Sequence, residues 1–266
     1  MCAAIGCYLR ITLAGFHRYS TYRQAVLAGT ATNIVFGLIK VGILSGVFLA
    51  RDGASIGGYD LTTTITYVWL GQGLLGVVDF WSEDQLSERI RNGDVVVDLS
   101  RPWNLQAALL ATDLGRAGYS AIARFIPQLL LGALFFPFRW PDDPWVAPAF
   151  ALSTVLAVLA SFHIRFLLGL TAFWLLDSRG VRSFYGVTSG ILAGLEIPLT
   201  FYPHWAQTAL YLTPFPSLLQ IPINVFVQVG DPVALIAQQL AWVAALVLAG
   251  RLVLQRAMHK VVVQGG

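Results

Sequence analysis

This sequence has little charge. Asp, Glu, Lys and Arg make up 12% of its 266 residues while 56% are hydrophobic, against about 25% charged in an ordinary soluble domain. That balance excludes a soluble enzyme and describes a polytopic membrane protein. The 17 basic and 14 acidic residues leave only +3, too small an excess to indicate a nucleic-acid binder. Cysteine is almost absent: Cys2 and Cys7 both lie at the start of the chain, which excludes a disulfide framework. Residues 1–9 are too short and lack the basic lead of a cleavable signal.

Other absences bear on chemistry. There is no GxxxxGK[ST] loop to cradle nucleotide phosphates. No HExxH, Cys-His cluster or acid pair suggests a metal or hydrolase centre. No catalytic residue and no metal site is therefore assigned. One enzyme alternative comes from residues 53–57, GASIG, which fit GxSxG around Ser55, with His163 or His204 as a base. That match lies between two apolar runs rather than on a strand-to-helix elbow, so an intramembrane serine hydrolase is the weaker reading. No internal repeat points to an inverted-repeat transporter.

What is present is a series of apolar runs, each near the roughly 20 residues that a helical crossing needs. The expectation is an all-α protein of six transmembrane helices over residues 30–50, 61–80, 104–136, 145–176, 183–198 and 233–253. Residues 8–28 mix apolar side chains with Arg10, Arg18 and Arg23, which predicts an N-terminal interfacial helix. Residues 196–232 carry Pro198, Pro203, Pro214, Pro216 and Pro222 among aromatics. They are too broken for one helix and too apolar for a plain loop, so short outer-leaflet helices are expected there. Six crossings put both termini on one side. Twelve basic residues then fall on that side and two, Arg51 and Arg139, on the other. By the positive-inside rule the termini are cytoplasmic.

The longest charge-dense stretch is residues 81–104, WSEDQLSERIRNGDVVVDLSRPWN. Ser82 and Gln85 form a capping box. Glu83 and Asp84 sit in the first turn and Arg89 and Arg91 in the last, each sign where the helix dipole favours it. Asn92-Gly93 supplies a left-handed stop. Leu86 and Ile90 share one face. A plain connector needs none of this. The stretch is either a helix resting on headgroups or a docking helix offering Leu86 and Ile90 to a partner.

The stretch GDVVVDLSRPWN (residues 93–104) resembles the cytoplasmic loop of type-2 ABC exporter permeases, in the branch that includes viologen-exporter-like and daunorubicin-type permeases. FWLLDSRGV (173–181), SGILAGLEIPLTFYP (189–203) and LTPFPSLLQIPINVF (212–226) resemble later segments of the same branch, in order. The resemblance implies the pore-forming permease of a plasma-membrane exporter for a hydrophobic or amphipathic compound. A dimer of ABC ATPase subunits would bind ATP and Mg; this chain would bind no cofactor. A second permease, identical or different, would complete the pore, and the branch often uses two different ones. The coupling surface implied is Glu83, Asp84, Leu86, Ser87, Arg89, Ile90, Gly93, Asp94, Asp98, Arg101 and Pro102. Segment 95–103 would brace that helix against the third span.

Two glycine stripes, Gly42 and Gly46, and Gly186, Gly190 and Gly194, allow close helix contact, within the chain or between permeases. Lys40, Arg124 and Glu196 are ionisable near membrane depth, which marks them for a translocation path; Lys40 equally suits snorkelling or an ion pair. Asp113 and Arg116 also fall inside the third run, and Arg165 inside the fourth. An ATP-independent carrier remains the alternative from a different class.

Overall fold

The computed structural model describes residues 2–81, 85–101, 103–175 and 178–264. It is all-helical over these residues, with a lone antiparallel bridge between Ile56 and Tyr59. Five helices are long and apolar enough to cross a membrane: Arg23–Leu49, Leu61–Val78, Leu105–Phe135, Val146–Phe173 and Pro232–His259. In chain order the helices are α1 (Cys2–Ser20), α2 (Arg23–Leu49), α3 (Leu61–Val78), α4 (Gln85–Arg91), α5 (Val95–Leu99), α6 (Leu105–Ser120), α7 (Ile126–Phe135), α8 (Val146–Leu170), α9 (Arg179–Ala193), α10 (His204–Tyr211), α11 (Gln220–Val227) and α12 (Pro232–Gln264).

Helices α3 and α8 form the centre. Of their apolar windows 83% and 61% is buried, against 22%, 17% and 11% in the other three long helices. The outer helices therefore present apolar side chains such as Phe36, Ile43, Leu134 and Leu248 outward, as lipid-facing helices do.

Local sequence explains where the helices begin and bend. Asn104 caps α6 by accepting from the Ala107 amide at 2.9 Å. Asp60 caps α3, accepting from the Thr63 amide at 2.7 Å. Burial pushes the Asp60 carboxyl up, but that hydrogen bond and nearby Arg139 outweigh it and hold the group below its usual range. A depressed carboxyl stabilises the fold above its unfolded pKa and loses that contribution as pH falls through the folded value. Asp60→Ala is expected to cost about 0.5–2 kcal/mol at neutral pH. In melts followed against pH, the gap to wild type should close as the solution is acidified below the Asp range.

Between α6 and α7, residues Ala121–Phe125 form a π-helical segment, with the Ile126 amide donating to the Ala121 carbonyl. Pro127 has no N–H to offer Ala123, so the helix widens one turn before it instead of breaking.

Helix α1 does not continue to residue 28. It ends at Ser20, and α2 begins three residues later. It lies along α6 because two glycines face each other's helix. A Cβ on Gly15 would sit 2.5 Å from the Thr112 carbonyl oxygen, and one on Gly115 would strike the Thr12 carbonyl. Phe16 then packs edge-on against Tyr119 at 5.5 Å. Gly115→Leu is expected to push α1 off α6. On a Cys2→Ser background this should raise maleimide labelling of Cys7, partly buried here, by several-fold.

The expected fifth span at 183–198 takes a different form. Helix α9 has 15 residues, a rise of roughly 22 Å, short of the ~30 Å hydrocarbon core. It stops because Gly194 adopts a left-handed φ of +88°. A Cβ at Gly194 would lie 2.6 Å from both the Tyr67 hydroxyl and the Gln220 amide oxygen.

Beyond that stop, short helices fold back into the bundle. All eight residues of α11 are buried. Their polar groups are satisfied internally, as backbone and amides away from water must be. Tyr67 donates to Gln220 Oε1 at 2.7 Å, and Gln220 Nε2 donates to Asn224 Oδ1 at 2.7 Å. Tyr59 donates to Asn224 Oδ1 at 2.5 Å. Burial pushes the Tyr59 phenol far above its usual range, so it stays a neutral donor.

Candidate functional site

The charge-dense loop between the second and third long helices folds against the ends of the bundle. Leu86, only 5% exposed, enters a cluster with Val95, Phe162, Phe166, Leu170 and Leu254. Ile90 packs partly on the same cluster. Ser87 donates to the Gly169 carbonyl at 3.3 Å. Arg89 grips Asp98 with two hydrogen bonds, Nε to Oδ2 at 2.5 Å and a terminal nitrogen to Oδ1 at 2.9 Å. This bidentate pair clamps α4 to α5 across the turn made by Gly93, whose φ is +82°.

The loop's inner and outer faces are thereby fixed, and they differ from the expectation. Leu86 does not face outward. An apolar helix face with its own chain's Phe162 and Phe166 at hand buries there first. Within 95–99, Val95 and Leu99 pack on that cluster and Asp98 is held in the clamp, whereas Val96 and Val97 are 52% and 56% exposed. With exposed Glu88, Arg91, Asp94 and Arg101, they form the outward surface. The expected capping box at Ser82, with Glu83, Asp84 and Pro102, lies outside the described residues.

Behind the loop is a charged network that the sequence reading did not assemble. Arg116, 3% exposed, donates to Asp113 at 2.7 Å and to the Gly76 and Val77 carbonyls at 3.0 Å each. Its Nε is 3.3 Å from Asp79. Arg165 reaches the same Asp113 at 2.9 Å and lies 3.9 Å from Asp79. Two carboxylates and two guanidiniums thus join the end of α3 to α6 and α8. Asp79 ends α3 with a left-handed φ of +58°, uncommon for a residue with a Cβ, and its carbonyl accepts from Ser161 at 2.8 Å. The available signal was three charges inside apolar runs: Asp113, Arg116 and Arg165.

Between this network and α4 opens a cavity of about 440 Å³. Its apolar wall includes Phe80, Trp81, Leu86, Leu109, Phe162 and Phe166, and Arg18, Arg165, Arg179 and Arg182 also line it.

A family model described as ABC-2 family transporter protein matches residues 36–265, from within α2 to the C-terminal end of α12. The chain belongs to the ABC-2 transporter family. No curated protein matches it. ABC-2 membership and the long apolar helices make it a multi-pass membrane protein, the permease type of subunit. Membrane subunits of ABC-2 transporters generally work with an ATPase partner.

The other residues singled out for this ABC-2 permease separate cleanly. Lys40 donates to the Leu195 carbonyl at 2.8 Å and pairs with Glu196 at 3.0 Å. Two of the three path candidates thus meet and tether α2 to the bend after α9. Arg124 is elsewhere, in the π segment, its side chain against Gly29 and Gly76. Its buried Nε has no hydrogen-bond partner among the described residues. Gly186 and Gly190 face Trp81 of the same chain, whose indole donates to the Gly186 carbonyl at 2.7 Å. Gly194 is a helix stop. Nothing lies within 4 Å of a Cβ built on Gly42 or Gly46, so this stripe faces out of the chain. Ser55 is exposed, and His163 Nδ1 is engaged with the Leu159 carbonyl at 2.6 Å. Among the described residues no three or more His, Cys, Asp or Glu cluster as metal ligands.

Proposed function

We propose that this chain is the pore-forming permease of an ATP-driven exporter in the viologen-exporter-like and daunorubicin-type branch. It moves a hydrophobic or amphipathic compound out of the cell by alternating access. A separate ATPase dimer binds ATP and Mg and docks on the loop spanning residues 82–104. Arg179–Ala193 and the bend after it serve as the fifth crossing, both termini are cytoplasmic, and a second permease, more readily a different one, completes the pore. The chain carries no catalytic site.

The observation that carries this reading is the two-faced loop. Its inner side is pinned by Leu86 and the Arg89–Asp98 clamp, one step from ion pairs joining α3, α6 and α8. Force on its outer side would pass into three helices rather than being lost in a slack connector. The test is copurification with an ATPase subunit, followed by ATP-dependent uptake of a hydrophobic cationic or anionic dye into inverted vesicles. Absence of any associated ATPase, or uptake indifferent to ATP, would overturn it. Ser55→Ala should leave uptake unchanged; loss would favour the hydrolase alternative.

A further inference from the structure

The cavity behind the loop has a chemistry that neither the fold nor family membership assigns. It is about 440 Å³, within the 300–1,000 Å³ of small-molecule sites. Half of it is aromatic and aliphatic, and four arginines line it. Asp113 is the one carboxylate among its described lining residues, and it is already occupied by Arg116 and Arg165. Asp79 and Asp113 are balanced by those two guanidiniums. Among the described residues no carboxylate pairs with Arg18 or Arg182, which also line the cavity. Arg18 has a neutral neighbour, donating to Gln85 Oε1 at 3.4 Å. Arg182 holds a buried Nε with no hydrogen-bond partner among the described residues. A buried, unsatisfied guanidinium N–H is costly to keep. Arg182 itself lines a space large enough to admit an acceptor.

We infer that this cavity binds an amphiphile with a single anionic head, a carboxylate, sulfonate or phosphate. The head is held by Arg182 and Arg18, and the apolar body lies against Trp81, Phe162 and Phe166. Guanidinium forks match such planar or tetrahedral anions in pairs of hydrogen bonds. The walls reject a purely polar anion, since burying them against water gains nothing. Binding itself rests on the cavity alone. Only the step from bound amphiphile to exported compound rests on the exporter reading, deepening it from any hydrophobic compound to an anionic one.

The probe is 11-(dansylamino)undecanoate, with its methyl ester as uncharged control, titrated into the full chain in zwitterionic nanodiscs without nucleotide. The acid should bind at least tenfold tighter than the ester. Arg182→Gln should abolish that preference while leaving ester binding unchanged, and Arg182→Lys should restore part of it. Ser183→Glu, at an exposed position on the cavity rim, places a carboxylate beside the head and should weaken the acid by a similar factor. It serves if Arg182→Gln does not accumulate. A second arm adds phosphatidylglycerol: displacement of the probe identifies a bilayer lipid as ligand, and no displacement a compound from the cytosol. Equal binding of acid and ester, or an acid preference unmoved by both substitutions, overturns the proposal. Because no ATPase is present, failure here is separate from failure of ATPase copurification.

Discussion

Arg116→Met is expected to be the most damaging single substitution in the chain, lowering stability by about 3–5 kcal/mol. The guanidinium is 3% exposed, and its donors are committed to Asp113 and two α3 carbonyls. Removing it leaves Arg165 as the one guanidinium that Asp79 and Asp113 share among the described residues, and takes the donor from two carbonyls. The loss is a large fraction of the ~5–15 kcal/mol that holds an ordinary domain together. The measurement is thermal unfolding in detergent, with membrane yield beside it. Arg116→Lys should recover little, since one ammonium cannot reproduce a fork aimed at a carboxylate and two carbonyls. Asp113→Asn in the Arg116→Met background should recover about 0.5–3 kcal/mol, because Asp79 and Arg165 then balance. A melting point unchanged in Arg116→Met would show that the four charges are not one unit.

That network also marks the limit of what the sequence revealed. Features decided by a few neighbouring residues were legible. Asn104 caps α6, Gly93 ends the turn after α4, and the long helices fall where the apolar runs are. The π segment and the stop at Gly194 depend on details that apolarity hides. Leu195, Ile197 and Pro198 extend the apolar character past Gly194, so the run looked five residues longer than the helix. Pairings between distant positions were not legible at all. Nothing in the spacing of Asp79, Asp113 and Arg165 says that α3, α6 and α8 bring them together. Lys40 and Glu196 were each conspicuous alone, and only the fold turned two path candidates into one tether. The same holds for Leu86: its helical face was clear, but which way that face turns is a tertiary fact.

The second large effect separates those two faces of the loop. Val96→Asp with Val97→Asp is expected to leave the melting point nearly unchanged, since both side chains are more than half exposed and surface changes usually cost within about 0.5 kcal/mol. ATPase copurification and ATP-dependent uptake should nevertheless fall to background. A docking groove must cover these valines with apolar atoms, and two carboxylates there would have to be desolvated without partners. Leu86→Asp should behave in the opposite way. It forces a carboxylate among Phe162, Phe166 and Leu170, where even Leu86→Ala would cost about 2–5 kcal/mol, so the protein should fail before coupling can be measured. If the valine pair copurifies normally and transports fully, the outward face is not where the ATPase docks, and these side chains serve contact with headgroups instead. If both substitutions destabilise alike, the loop has one buried face and no free one. The informative outcome is divergence. Stability lost at Leu86 and coupling lost at Val96 and Val97 would place the mechanical joint between them, at the Arg89–Asp98 clamp.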